Sequence, residues 1–224
     1  MFSRVISLVG EENFKKINDL KVLVIGVGGV GSSCAMALLR SGVRNIKLVD
    51  FDKIELSNLN RQIMTNKNNI GKLKVLEMQK LLNEINEDCI ITTYPLFLDS
   101  SNIKEIFMDV DYVFDCCDTV KTKKEIIKYC LEHNIKFITA CGTARKMDPR
   151  YLEVVDIRKT TYDPLAKVLR NWVNKEKIRG KTMCCYSKEI GKGDKDVLSS
   201  IMMTPASCGL LMASYAIGDV IDGK

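Results

Sequence analysis

Histidine and tryptophan are almost absent from this chain of 224 residues, which contains one of each. With His133 as the only imidazole, hydrolase and zinc mechanisms that depend on histidine are disfavoured. No apolar run approaches the roughly 20 residues of a membrane-spanning helix. The first residues also lack the apolar core of a signal peptide. The sequence therefore predicts a cytoplasmic protein without a transmembrane segment.

Nine cysteines are present, but their pattern is not that of a disulfide-bonded secreted domain. Their number is odd, the chain is long, and two pairs are adjacent, Cys116-Cys117 and Cys184-Cys185. Disulfide frameworks are expected in short secreted domains with even numbers of cysteines. We therefore predict reduced thiols, with inert packing for Cys184 and Cys185.

Length and composition favour a single folded domain over residues 1–224. Apolar residues make up 46% of the chain and charged residues 28%, which is typical of a globular protein and not of a disordered one. The formal net charge is +6, and the segment from Arg158 to Lys181 accounts for all of it, with eight basic and two acidic residues. Such a basic segment favours an acidic partner.

Strand and helix signals alternate through the first two thirds of the chain. Short apolar runs predict strands at 21–25, 46–50, 90–94, 112–115 and 137–141, and helical spacing predicts helices at 29–41, 72–85 and 119–133. Such alternation predicts an α/β fold, a Rossmann-like and mostly parallel sheet with helices on both faces. We expect residues 1–142 to form a nucleotide-binding half.

After about Gly142 the pattern changes to a smaller strand and helix extension. A strand is predicted at 152–157, a helix begins at Asp163-Pro164, and a last helix begins at Thr204-Pro205. The polar stretch 188–200 predicts a loop. We expect residues 143–224 to bind substrate and to contribute to a dimer contact.

A glycine-rich segment follows the first predicted strand. Gly26, Gly28 and Gly31 have the G-x-G-x-x-G spacing, with Gly29 between them. Glycines let the backbone approach a phosphate, and the helix N-terminus directs N–H groups and a positive dipole at it. Asp50 ends the next predicted strand, where a carboxylate can bind ribose hydroxyls. These residues alone fit a dinucleotide oxidoreductase as well as a mononucleotide-binding protein.

Charged residues after Asp50 favour a triphosphate. Cleavage between its α- and β-phosphates requires compensation of charge on several oxygens, for which Arg61 and Lys74 are available. No G-x-x-x-x-G-K-[ST] segment is present, so the phosphate-binding lysine must come from elsewhere. Asp118, at a strand end, can hold Mg²⁺. The alternatives are solvated surface charge for Arg61 and Lys74, and a helix cap for Asp118.

Taken together, these segments resemble the ThiF/MoeB superfamily, relatives of ubiquitin-activating enzymes that use ATP to adenylate a carboxylate. The resemblance is carried by five segments, Gly26-x-Gly28-Gly29-x-Gly31, Asp50-Phe-Asp52, Ser57-Asn58-Leu-Asn60-Arg61-Gln62, Gly71-x-x-Lys74-Val75 and Asp115-x-x-Asp118. It implies that ATP and Mg²⁺ are bound. No C-x-x-C pair is present, so we predict no structural zinc.

The resemblance also implies roles for individual residues. Beside the glycines, the implied ATP ligands are Asp50 at the ribose, Asp52 in the same motif, Asn58, Arg61 and Lys74 at the phosphates, and Asp118 at Mg²⁺. Arg61, Lys74 and Asp118 are the implied catalytic residues. The superfamily forms homodimers in which an N-terminal arginine reaches the partner's site, and Arg4 stands in that segment here.

The second half is similar to the tRNA threonylcarbamoyladenosine dehydratase branch of the superfamily. The similar segments are Asp148-Pro149, Val155-Asp156, Lys159-Thr160, Asp163-Pro-Leu-Ala166, Leu169-Arg170 and Tyr186-Ser187. This branch implies adenylation of the threonyl carboxylate of threonylcarbamoyladenosine in tRNA, followed by ring closure that expels AMP with net loss of water.

The basic segment then becomes a candidate tRNA surface, because clustered lysines and arginines bind phosphates independently of sequence. The candidates are Lys167, Arg170, Lys175, Lys177, Arg179 and Lys181. Trp172 lies among them and is a candidate for stacking on a base. The alternative is core packing for Trp172 and a solvated face for the lysines.

Three other functions stay open at this point. The first is adenylation of the C-terminal glycine of a ubiquitin-like sulfur-carrier protein. The second is an NAD-binding oxidoreductase, in which Arg61 and Lys74 have no role, and the third is a binding module without catalysis. A sulfur-transfer protein also stays open as a partner.

Overall fold

The computed structural model describes residues 1–194 and 199–223. The strands of the described part, numbered in chain order, are β1 (Lys21–Ile25), β2 (Asn45–Val49), β3 (Ile90–Tyr94), β4 (Tyr112–Asp115), β5 (Lys136–Ala140), β6 (Leu152–Asp156) and β7 (Met183–Ser187). They form one sheet in the order β3-β2-β1-β4-β5-β7-β6. Neighbouring strands are parallel except at one edge, where β6 runs antiparallel to β7.

The α-helices of the described part are α1 (Ser3–Val9), α2 (Glu11–Asp19), α3 (Gly29–Arg40), α4 (Lys74–Ile85), α5 (Ile103–Ile106), α6 (Val120–Glu132), α7 (Pro164–Lys175) and α8 (Met203–Asp222). They cover both faces of the sheet. The predicted α/β fold with a mostly parallel sheet is therefore confirmed.

Two hydrophobic cores lie on opposite faces of the sheet, because side chains alternate along each strand. In β1, Val22 and Val24 pack with α2, α3, α4 and α8, whereas Leu23 and Ile25 pack with α5, α6 and α7. All four side chains are at most 2% exposed. This burial on both faces explains why β1 is a continuous apolar run.

Strand β7, which lies between β5 and β6, was not predicted from the sequence. Cys184 and Cys185 are in this strand and are fully buried, one in each core. A hydrogen bond with Cys141 and burial both raise the pKa of the Cys184 thiol, which keeps it protonated. All nine cysteines are free, which agrees with the predicted reduced thiols.

Other element boundaries differ from the prediction by one or two residues, but α1, α2 and α5 were not predicted. The described residues of the polar stretch 188–200 form a loop that contains no helix and no strand. Residues 195–198 lie outside the described part, so the loop prediction is confirmed only for the rest. In the described residues, no helix is long and apolar enough to cross a membrane.

Candidate nucleotide-binding site

A cavity of about 760 Å³ opens at the carboxyl edge of the sheet, where β1, β2, β4 and β5 end. We call it the nucleotide cavity. The site residues predicted from the sequence that line it are Gly26, Gly28, Gly29, Asp50, Asp52, Asn58, Arg61, Lys74 and Asp118. Gly31 and Arg4 are not among the lining residues. The structure thus brings most of the implied ATP ligands together.

The glycine loop ends at an uncapped helix. Gly28 precedes α3, and no side chain of the described residues hydrogen-bonds to the first N–H groups of the helix, which leaves them available to an anion. Gly26 has a φ of +86°. A Cβ atom on Gly31 would lie only 1.8 Å from the carbonyl oxygen of Gly26. Gly31 therefore allows α3 to pack under the loop, and this role differs from the predicted contact with a cofactor.

Asp50 joins the glycine loop to the turn that follows β2. Its Oδ2 accepts a hydrogen bond from the backbone N–H of Val27 at 2.7 Å, and its Oδ1 accepts one from the N–H of Asp52 at 2.8 Å. Burial raises the pKa of this carboxyl above its ordinary value, although both N–H donors oppose the rise. Asp50 still lines the nucleotide cavity, so its contact with ribose stays a prediction.

Lys74 is the first residue of α4 and points its ammonium group at Asp52. The distance from Lys74 Nζ to Asp52 Oδ2 is 2.7 Å, and the side chains are 8% and 46% exposed. The backbone N–H of Lys74 also donates to the carbonyl of Asp52 at 3.0 Å. Solvated surface charge is therefore the wrong description of Lys74.

Arg61 is half-buried beside the start of α3. Its Cγ would lie 3.3 Å from a Cβ atom on Gly29, and its Nη1 donates to the Ser57 carbonyl at 2.9 Å and to Asn60 Oδ1 at 3.0 Å. No acidic side chain in residues 1–194 or 199–223 forms an ion pair with Arg61. Its positive charge is thus uncompensated next to the glycine loop.

Asn58 shapes the turn that carries Arg61. Asn58 Oδ1 accepts a hydrogen bond from the N–H of Glu55 at 3.1 Å, and its carbonyl accepts one from the N–H of Arg61 at 3.1 Å. The side chain of Asn58 is 6% exposed. Gln62, in the same motif, also lines the nucleotide cavity, and its buried Oε1 has no hydrogen-bond donor among the described residues.

Asp118 is exposed and lines the same cavity just after β4 ends. It makes no hydrogen bond or ion pair with the part of the chain that the structure describes, and α6 begins two residues later with Thr119 at its N-cap. The alternative of a helix cap is therefore wrong. In the described residues, no group of three metal-ligating side chains is found, so a cation at Asp118 would need phosphate oxygens as further ligands.

The neighbouring Asp115 is committed to a buried ion pair. Its Oδ1 lies 3.0 Å from Lys123 Nζ, both side chains are 0% exposed, and Thr139 Oγ1 donates to its Oδ2 at 2.5 Å. Burial lowers the pKa of Lys123, but the charge of Asp115, the neighbouring thiols Cys117 and Cys141 and the hydrogen bond to Asp115 together raise it by more, so the net pKa lies above the ordinary value. This pair joins β4, β5 and α6 under the cavity wall.

Two cavity walls were missed by the sequence analysis. Phe51 and Phe97 follow β2 and β3 and form an edge-to-face pair, with ring centroids 5.3 Å apart. Phe51 directly follows the predicted strand 46–50, and this position was a usable signal. Nothing in the sequence pattern marked Phe97. The second wall is 142–144, which begins two residues after the end of β5.

A buried ion pair holds the second wall in place. Lys146 Nζ lies 2.7 Å from Asp163 Oδ2, with the two side chains 4% and 0% exposed, and it also donates to the Ser187 carbonyl at 3.0 Å. Asp163 Oδ1 accepts from the N–H of Ala166 at 2.7 Å, which caps α7 as predicted. The carboxylate of Asp163 therefore both caps α7 and anchors the second wall through Lys146.

The candidate tRNA residues divide into two groups. Lys167, Lys175, Lys177, Arg179 and Lys181 are exposed. Arg170 is half-buried, and its Nη1 donates to the carbonyl and hydroxyl oxygens of Thr160, so its guanidinium supports the start of α7. Trp172 is also half-buried and packs against the core, which favours the alternative of core packing over stacking.

The reversal of strand order beside β1, the glycine loop and the uncapped start of α3 define a nucleotide-binding α/β protein of the Rossmann type. The cationic side chains of Arg61 and Lys74 in the same cavity fit a polyphosphate. The chain belongs to the ThiF family, whose sequence model matches residues 2–221.

Individual relatives are similar over about three quarters of the chain or more. A tRNA threonylcarbamoyladenosine dehydratase of Bacillus subtilis is 34% identical over 98% of this chain and 94% of the relative. The Escherichia coli protein of the same name is 37% identical over 73% of this chain and 61% of its own length. The crystal structure of E. coli TcdA in complex with ATP has a TM-score of 0.93, with 30% identity over 99% of this chain and 94% of that one.

Proposed function

We propose that this protein is an ATP-dependent tRNA threonylcarbamoyladenosine dehydratase. The observation that carries the proposal is that Arg61, Lys74 and Asp118 line one cavity together with Gly28 and Gly29 at the uncapped start of α3. This arrangement compensates the charge of a triphosphate at its cleavage site. The high-coverage relatives of this name and the TcdA structures with ATP and AMP support the same function.

ATP would be held by groups of this chain that differ in chemistry. The N–H groups at the start of α3 suit the phosphates, and Asp50 suits the ribose. Lys74 has a half-exposed partner in Asp52, so its ammonium group can exchange that carboxylate for a phosphate. Asp118 would hold Mg²⁺ beside the phosphates, since its carboxylate is exposed in the cavity.

The reaction has two balanced steps. In the first, a carboxylate oxygen of the threonyl group bonds to the α-phosphorus of ATP, the bond to the bridging oxygen breaks, and pyrophosphate leaves. In the second, a nitrogen of the same modified side chain attacks the activated carbonyl, AMP leaves, and a proton passes to solvent. The ring closure needs no protein nucleophile, so the residues of this chain serve to orient the reactants and to compensate charge.

The test is mass spectrometry of tRNA nucleosides after incubation of modified tRNA with ATP, Mg²⁺ and the protein. We expect a cyclised nucleoside that is lighter than its precursor by one water, with AMP formed in equal amount. Arg61→Ala should abolish both products, whereas Arg40→Ala, at the far end of α3, should not. An adenylated sulfur-carrier protein in place of the cyclised nucleoside would contradict the proposal, as would binding of NAD without ATP.

We further propose a cytoplasmic homodimer in which Arg4 reaches the partner's nucleotide cavity. Arg4 is exposed on α1 and does not line the cavity of its own chain, which fits a role across a dimer. Nine free thiols suit a reducing compartment. Sedimentation should give the mass of two chains. Mixing the inactive variants Arg4→Ala and Lys74→Met should restore activity in mixed dimers, and no recovery would refute the role of Arg4.

A further inference from the structure

Helices α6 and α7 form a basic face beside the nucleotide cavity. α6 begins directly after Asp118 and Thr119, and α7 has Leu165 in its first turn; all three residues line the cavity. The buried sides of both helices pack into the same core. The two helices therefore start at the cavity and lead away from it side by side.

Trp172 on α7 lies beside two lysines of α6. Its ring packs against the core, and the Nζ atoms of Lys124 and Lys128 each lie 5.7 Å from the ring centroid. Both distances are within the range of a cation–π interaction. Trp172 and Lys128 each stand eight residues after the first residue of their helix, or about 12 Å along its axis. The ring on α7 thus positions two ammonium groups of α6 about two helical turns from the cavity.

Other lysines extend this charge along both helices. Lys121, Lys124 and Lys128 are spaced by three and four residues, so they lie on one side of α6. The exposed or half-buried lysines of the two helices are Lys121, Lys124, Lys128, Lys167 and Lys175. Glu125 and Glu132 also lie on α6, but neither forms an ion pair with these lysines in the described structure.

We propose that this α6–α7 face, defined by Lys121, Lys124, Lys128, Trp172 and Lys175, binds the phosphate backbone of the RNA strand next to the nucleoside in the cavity. The inference rests on the proposed function, because it takes tRNA as the substrate. A nucleic-acid strand has one phosphate charge about every 3.4 Å, and lysines three and four residues apart lie about 4.5 and 6 Å apart along a helix axis. A strand that runs along α6 therefore presents several phosphates to these lysines. Val168 is the one exposed large apolar side chain on the described residues of these helices, so a membrane would gain little apolar burial here.

The test compares two charge reversals of equal size. The variant Lys124→Glu/Lys128→Glu changes the α6–α7 face, and the control Lys15→Glu/Lys80→Glu changes exposed lysines of α2 and α4 on the opposite face of the sheet. We expect the first variant to raise the Kd for modified tRNA by about tenfold or more and to lower the salt slope of binding by about 2. Its Kd for ATP and its thermal unfolding should match those of the control.

Trp172 supplies a second readout, because it is the only tryptophan. Phosphates that draw Lys124 and Lys128 from the ring should change its emission when tRNA is added. This change should be absent in Lys124→Glu/Lys128→Glu and present in the control.

The outcomes separate this inference from the proposed function. If the wild-type protein cyclises the nucleoside but both variants bind tRNA equally well, the α6–α7 face is overturned and the enzyme activity stands. If the wild-type protein binds tRNA through this face without forming the cyclised nucleoside, the proposed function fails and the RNA surface stands. Binding to vesicles with 30% phosphatidylserine but not to tRNA would overturn the inference.

Discussion

Lys74 Nζ lies 2.7 Å from Asp52 Oδ2 in a pair whose lysine is buried and whose carboxylate is half-exposed. The buried stem of Lys74 limits where its ammonium group can reach. Because Asp52 is partly solvated, separating the pair costs little free energy. The lysine is thus held beside the glycine loop and remains available to a phosphate.

Lys74→Met should lower kcat/KM for AMP formation by about 10²- to 10³-fold, because a charge that stabilises the transition state is lost. Its stability should change by less than about 1 kcal/mol, since Asp52 stays solvated. Lys72→Met is the matched control, because Lys72 is exposed two residues earlier. Steady-state kinetics and urea unfolding measure both effects. Equal kinetics in the two variants would show that Lys74 does not contribute to catalysis.

Asp118→Asn should raise the Mg²⁺ concentration that gives half-maximal activity by about tenfold, because an amide is a weaker ligand than a carboxylate. The free energy of unfolding should not change, since Asp118 has no partner in the described structure. Glu87→Gln, an exposed carboxyl-to-amide change, is the control. A magnesium titration that is the same for both variants would contradict the proposed metal contact.

Gly31→Ala and Gly28→Ala should differ although both glycines belong to one motif. A Cβ at Gly31 would lie 1.8 Å from a backbone oxygen, whereas at Gly28 the nearest atom is 3.8 Å away on the side chain of Gln62. We expect Gly31→Ala to cost about 3 kcal/mol or more and Gly28→Ala less than about 1 kcal/mol. Urea unfolding would show the contrast, and similar losses in both would argue against the tight contact.

Lys123→Met should destabilise the protein by about 3–5 kcal/mol, because it leaves Asp115 buried and unpaired. The double variant Lys123→Met/Asp115→Asn should recover much of this loss. Urea unfolding at pH 7 measures both variants. A single variant as stable as the double one would show that the pair contributes no coupling.

The same pair has a pH signature. The folded pKa of Lys123 lies above its ordinary value of 10.5, so its contribution is complete below about pH 10.5 and is lost as the pH rises through the folded pKa. The wild-type protein should therefore lose more stability above pH 10.5 than the double variant does. Parallel losses in the two proteins would contradict this assignment.

The nucleotide half was predictable because its signals are local. An apolar run, spaced glycines and a following helix determine β1, the loop and α3 within about twenty residues. Parallel strands place their carboxyl ends at one edge, which is why Asp50 and Asp118 could be assigned to one site. The structure confirms the fold and places most of those residues around one cavity.

The second half depended on contacts that no local pattern encodes. Insertion of β7 between β5 and β6, the Lys146–Asp163 pair and the lysines of α6 beside Trp172 each join distant residues. The segment between Arg158 and Lys181 was visible as charge in the sequence, but folding commits Arg170 to Thr160 and brings in Lys124 and Lys128. Local backbone preferences therefore determined the nucleotide-binding motif, whereas only the packing of α6 and α7 side by side on one face of the sheet decided which charges form a surface.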